Sequence, residues 1–493
     1  MKTNYSYQYP VLKTASIAVF ILLVGAFIPL SCTSDFEEIN TNPNAPVSVQ
    51  PSLLLRQVIY NYGEEMSYEG FVAGDLLAQH RTAVDFNLFD RHALKSPQLG
   101  GNPWPILYTN LRDNELILKQ AQTNPTLAVY EGPALILKAY MGATLTDLFG
   151  DVPYFEAFNG VDGSISPAYD LQEQIYLDAG GILDNLDRGI VALSNYSGTV
   201  PLEGDLLFNG DLQAWIKFAN ALKIKQLLRI SAQIDVSASL QELYDANNFI
   251  NTNAENAVFD FSASAPNSFR LAQLRIGDFN NFVLSKTMEQ ILVDLNDTRL
   301  GIFFQPTASE ETQFNGLING IDASQTSIEL ANFSLSGTRF RESSQDLDAN
   351  FLTAWETKFN LAEAAARGLI NADARALYEE GVTLAFEYWL TELPADYLSG
   401  PAAYDAANTT PLQQIITQKW IANLINGYEG WTEWRRTGFP EFLPLEASLN
   451  DGLIPVRMPY PAEEEALNAA NYEEAAQRTN GNSINVPVWW DLN

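Results

Sequence analysis

The chain has 493 residues, and its 60 acidic against 28 basic side chains give a formal charge of -32, which repels nucleic-acid backbones and excludes nucleic acid as a partner. Hydrophobic residues at 46% and charged residues at 18% can bury a core, and no long Pro/Gly/Ser linker divides the sequence, so one large folded body is expected. Two histidines and one cysteine exclude an internal disulfide and give no basis for a Cys/His zinc site.

At the N-terminus Lys2 and Lys13 precede an uncharged run from Thr14 to Ser31, TASIAVFILLVGAFIPLS, followed at once by Cys32 and polar sequence. The apolar core is short for a membrane span, and 1–31 reads as a secretion signal. Small Ser31 before Cys32 resembles a bacterial lipobox, with Pro29 where such boxes favour Leu. Cleavage there leaves Cys32 as the acylated residue of a polar tether, 32–51, which anchors the protein to lipid without a transmembrane helix. It removes two positive charges and no acid, moving the formal charge from -32 to -34. Ser34, Asp35, Phe36, Glu37 and Glu38 resemble the acidic surface-export signal of Bacteroidetes lipoproteins; a plain solvated tether reads the same.

Residues 52–493 are expected to form a single domain. Helical spacing covers Ser52–Met66 and Glu69–Gln79, and HRTAVDFNLFDRH from His80 to His92 reads as a loop. Its His80, Asp85, Asp90 and His92 are the nearest approach to a metal cluster, but their spacing matches no helical HxxxH or HExxH pattern, and no DxDxDG-type calcium loop occurs, so no metal or other cofactor is assigned. Trp104–Gln122 and Ala128–Phe149 read as a helical hairpin whose Ala134, Ala139, Gly142 and Ala143 permit close backbone approach. Helical blocks follow at Leu171–Leu193, Leu212–Ile234 and Leu240–Asn251. From about Phe259 to Asp346 the texture turns to Ser, Asn, Gly and Thr, predicting long loops of the kind that carry binding. Helices return at Phe351–Gly368 and Ala372–Trp389.

Near the C-terminus Trp420, Leu424, Tyr428, Trp431 and Trp434 recur at steps of three and four, predicting one continuous helical stripe that ends near Thr437, before Gly438 and Pro440. Arg435 and Arg436 beside tryptophans could grip phosphates, but with so many acids available they are read as structural ion-pair donors. The strings QKWIANLINGYEGWTEWRRTGFP, IPVRMPYPAEE, NYEEA and VPVWWD, with KAYMGATLTDLFGDVPYFEA further upstream, resemble the SusD/RagB family of nutrient-binding outer-membrane lipoproteins.

That resemblance implies an almost wholly α-helical fold, with tetratricopeptide-like helix pairs as a backing layer and a loop-rich ligand face. It also implies a cell-surface protein that captures oligosaccharide, or less often peptide, and hands it to a SusC-like TonB-dependent outer-membrane transporter. No nucleophile, acid and base stand out: GxSxG, the P-loop and GxGxxG are all missing, so no catalysis is expected. A surface glycosidase with a carboxylate pair and a helical-repeat scaffold for another protein are the competing readings. Sugars need flat rings for their C–H faces and amides or acids for their hydroxyls. Arg81, Asp85 and Phe86 in the first loop, Trp104 at a helix start, and Phe279, Asn280 and Asn281 in the middle loops are the candidate ligand residues; Trp104 and Phe279 are placed by positional similarity to glycan-binding family members.

Overall fold

The computed structural model describes Met1 and residues 49–95, 97–160, 163, 165–325 and 327–492. Cys32 and the signal run lie outside these residues. Contacts separate Met1–Gln50 from a second unit, Pro51–Asn493, and every helix and strand named here belongs to the second.

Helix α1 (Pro51–Glu69) continues without interruption through a π turn at Gly70–Gly74 and a last turn at Asp75–Leu77, so the two helices predicted here are one. A short strand, β1 (Arg81–Ala83), follows inside the stretch predicted as loop. Next come α2 (Trp104–Thr123) and α3 (Glu131–Phe149). The predicted block at 171–193 divides into α4 (Gln172–Leu177) and α5 (Ile182–Asn195), because Gly180 takes a positive φ between them. Helix α6 (Leu212–Arg229) begins where Asp211 accepts from the Gln213 and Ala214 amides, and α7 (Ser237–Ala246) stops at left-handed Asn247.

The segment predicted as long loops is more ordered than its composition suggests. Strand β2 (Ala257–Asp260) opens it and β4 (Asp348–Leu352) closes it; the two pair antiparallel, Phe259 opposite Ala349, and pin the excursion at its neck. Within it lie β3 (Phe282–Leu284), paired antiparallel with β1, and α8 (Lys286–Asp294), capped by Ser285. Its many short polar side chains serve as caps and turns, which a periodicity search does not see.

Helices α9 (Ala354–Ala366) and α10 (Ala374–Tyr388) form the expected late hairpin. The helices then pack neighbour on neighbour: α1 on α2, α2 on α3, α3 on α5, α5 on α6, α6 on α9, and α9 on α10. Helix α3 lies deepest, with every residue buried except Glu131, Lys138 and Thr144.

The predicted C-terminal stripe is carried by two helices, α11 (Pro411–Ala422) and α12 (Gly427–Thr437). Between them Ile425 adopts φ 72°, and its amide donates to the Asp75 carboxylate at 3.1 Å. The break lets α12 cross the end of α1 at backbone contact: a Cβ on Gly74 would lie 2.4 Å from the Tyr428 nitrogen, and one on Gly427 would lie 2.2 Å from Gly74. Helix α12 ends as predicted, at left-handed Gly438.

Buried charges lock these helices together. Arg229 of α6, fully buried, reaches Glu433 at 2.5 Å and Glu429 at 2.6 Å, both on α12, and Asp147 of α3 at 3.3 Å. Lys225 meets Glu356 of α9 at 2.8 Å and Glu429 at 3.2 Å. Lys419 of α11 meets Glu433 at 3.0 Å, and Arg436 bridges Glu433 and Glu363 at 2.7 and 2.5 Å. Arg435 donates to the Val456 and Asp147 carbonyls and lies 4.0 Å over the Trp431 ring. Both arginines are structural, as predicted. Burial alone would raise the Glu433 carboxyl, yet Arg436, Lys419 and Arg229 hold it well below the usual carboxylate range; Glu429 is lowered against its own burial by Arg229 and Lys225.

Replacing one member leaves an uncompensated buried charge, so Glu433→Gln should destabilise the fold by about 3 kcal/mol in urea unfolding; a change under about 0.5 kcal/mol would contradict the network's role. The pH dependence has two limbs. Asp90 and Asp348, each pushed up to about 6 by burial, bind protons more tightly folded than unfolded, so acidification from neutral pH stabilises. Glu429 and Glu433 have lowered folded values, so their contribution is present above the unfolded value of 4.5 and is lost as pH falls below it. Thermal melts should therefore give a maximal Tm at about pH 5.

Candidate ligand-binding site

The β1–β3 ribbon places the first loop against the middle segment. Its register sets Arg81 opposite Leu284 and Ala83 opposite Phe282. Beyond the last pair the Val84 amide donates to the Asn281 carbonyl at 3.0 Å, and the Asp85 amide donates to Asn281 Oδ1 at 2.8 Å. Asp85, Phe86, Asn280 and Asn281 are thereby brought to one end of the ribbon, although 195 positions separate Phe86 from Asn281 in the sequence.

Phe86 is the most exposed phenylalanine of this region, 59% accessible, and sits at φ 47°, with its amide donating to Asp85 Oδ1 at 2.8 Å. A bulky residue in the left-handed region is held there against a steric cost. Leu88 and Ile276 are exposed on the same two segments. Asn280 is half-buried, whereas Asn281 is only 5% accessible; its Nδ2 has no hydrogen-bond partner. The result is an open face with a flat ring and an exposed carboxylate, Asp85, backed by the buried Asn281 amide. Such a set can stack on the C–H side of a sugar and bond its hydroxyls.

The other three candidates are core residues. Arg81 is fully buried: its guanidinium pairs with Asp75, donates to Ser336 Oγ at 3.1 Å and lies 4.2 Å from the Phe71 ring and 4.9 Å from Phe340. Burial pushes that guanidinium down to about 10, with Asp75 opposing. Phe279, 2% accessible, stacks on Phe71 at 5.7 Å. Trp104, 8% accessible, packs edge-on against Phe149 at 4.9 Å and beside Tyr108 at 4.7 Å. A charged side chain in a polar stretch reads as exposed, and only the position of Asp75 on the π-turned end of α1 reveals the contrary.

The residues nearest to a metal pattern do not converge. His80 has Nδ1 3.0 Å from Asp75 and Nε2 2.9 Å from the Trp420 carbonyl. Asp90 accepts from Thr82, Asn319 and Gly320, and His92 faces the Leu453 carbonyl. Among the described residues no group of three or more His, Cys, Asp or Glu is placed to hold a metal, and no helix is long and apolar enough to cross a membrane.

Sequence reasoning had no means of finding the positive φ of Phe86. Glycine or asparagine would have signalled it; phenylalanine does not.

Solved structures share this architecture. A chitin-binding protein aligns with TM-score 0.75 at 26% identity, over 90% of this chain and 100% of that one. A SusD homolog from Bacteroides fragilis NCTC 9343 aligns with TM-score 0.77 at 23% identity, over 90% and 99%. A chitin-binding SusD homolog from Flavobacterium johnsoniae aligns with TM-score 0.72 at 21% identity, over 90% and 98%. Nothing among curated proteins matches the chain. A family described as starch-binding and associating with the outer membrane, a description of binding and not of catalysis, matches residues 43–461. With that match over most of its length and a helical fold to go with it, the chain belongs to the SusD-like family.

Proposed function

We propose that the protein is a non-catalytic, outer-membrane lipoprotein that captures neutral oligosaccharide on the Phe86 face and passes it to a TonB-dependent transporter. Residues 1–31 are removed, Cys32 is acylated, 32–51 form the tether, and 52–493 form the binding domain. The exposed ring of Phe86, presented at positive φ beside the exposed Asp85 carboxylate, is the observation that carries the reading. Family membership and the likeness to a chitin-binding protein at 26% identity support it. Neutral glycan fits better than polyanion, because Asp85 is exposed on the face and Arg275 is already paired with Asp278 at 2.8 Å.

Titration calorimetry with chito- and malto-oligosaccharides tests the face. Phe86→Ala should weaken the bound glycan about tenfold, the equivalent of about 1.4 kcal/mol, whereas Leu116→Ala, an exposed site on α2, should leave affinity unchanged. Equal affinity of a folded Phe86→Ala protein would rule the face out as the binding site, and release of shortened glycan would favour the glycosidase reading. Purification from detergent-solubilised envelopes should recover a large β-barrel partner and an acylated Cys32 peptide. A protein recovered with Met1 intact and without that partner contradicts the delivery role.

A further inference from the structure

A second feature lies inside the fold. Between α1, α3, α6, the β4 strand and the α11–α12 turn is a cavity of about 90 Å³. That is about six times the space one water centre needs. Tyr62, Tyr140, Tyr388 and Trp389 give it aromatic walls, and Arg339 and Asn350 line it from the pinned segment.

Most of its polar lining is already satisfied. Lys225 is held by Glu356 and Glu429, Asp147 accepts from Tyr176 at 2.6 Å and from Trp490 at 2.8 Å, and Asp348 accepts from Tyr388 at 2.5 Å. Two lining residues are not: Arg339 Nε and Asn350 Oδ1 are buried and have no hydrogen-bond partner. The remaining Arg339 nitrogens are committed to the Trp389 and Asp346 carbonyls at 2.9 and 2.6 Å, so the guanidinium is fixed in place. One unmet donor and one unmet acceptor select the ligand. A metal cation cannot accept from Nε, and an ionised carboxylate cannot donate to Oδ1. A hydroxyl does both. Anions meet a further obstacle, since four lining acids, Asp147, Asp346, Asp348 and Glu429, outnumber Lys225 and Arg339.

We infer that this cavity is a separate binding site for one small neutral polyhydroxyl molecule, a single sugar ring or a polyol, held between Arg339 and Asn350 against tyrosine walls. It is too confined for a glycan chain, which the open Phe86 face accepts. The site does not depend on that face.

The test titrates the purified full chain with glucose, N-acetylglucosamine and glycerol, following tryptophan fluorescence, for which Trp389 is the reporter. At least one probe should bind saturably, Asn350→Ala should weaken it at least tenfold, and Phe86→Ala should leave it unchanged. No saturable binding by any probe, or unchanged affinity in a folded Asn350→Ala protein, overturns the inference. Loss in the Phe86→Ala protein alone would move the signal to the surface face and equally overturn it. Crystals of the unmodified protein soaked in the best probe make the outcome independent of variant folding: a ring beside Arg339 and Asn350 supports the site, and ordered water only refutes it.

Discussion

Arg229 is where the architecture converges. Its guanidinium, with no solvent contact, is shared among Glu429, Glu433 and Asp147, and through those acids it reaches Lys225, Lys419 and Arg436. Five helices, α3, α6, α9, α11 and α12, each contribute at least one charge. Desolvating so many ions is costly, and the cost is offset only when every partner is in place with good geometry. An arrangement that displaced one helix would strand a charge in the core. Apolar packing among the same helices tolerates sliding; this network does not, and it fixes α12 against α6 and α9.

That fixation reaches the proposed ligand face in two steps. Helix α12 crosses the end of α1 at the Gly74–Gly427 contact, which leaves no room for a side chain on either residue. The adjoining Asp75 carboxylate then takes the Ile425 amide, the His80 ring and the Arg81 guanidinium together. Arg81 begins β1, β1 aligns β3, and the ribbon end carries Asp85, Phe86, Asn280 and Asn281. A rigid frame therefore presents the proposed binding face at low conformational cost.

The helical frame was legible because amphipathic period and small-residue spacing are local. Thr437–Gly438 as a stop, the paired roles of Arg435 and Arg436, and the α9–α10 hairpin all follow from neighbouring residues. Interruptions were legible only where glycine announced them. Ile425 at φ 72° breaks the stripe between Trp420 and Tyr428, and isoleucine gives no warning of it. Burial was the least readable property of the site. Phe279 and Arg81 look like loop side chains until Phe71 and Asp75 arrive from α1, and Trp104 until Phe149 and Tyr460 arrive. Long-range pairing decided each of these, and a single sequence does not encode pairing in any local pattern. The same holds for β2 and β4, whose union at the neck of a polar segment joins positions some ninety residues apart.

In the proposed function this frame offers a glycan an open, non-catalytic face. A crystal structure with a bound neutral oligosaccharide tests it directly. One ring stacked on Phe86, a hydroxyl within hydrogen-bond distance of the exposed Asp85 carboxylate, and intact glycosidic bonds are the predicted result. A glycan seated elsewhere on the chain, or one found cleaved between two carboxylates, would contradict it.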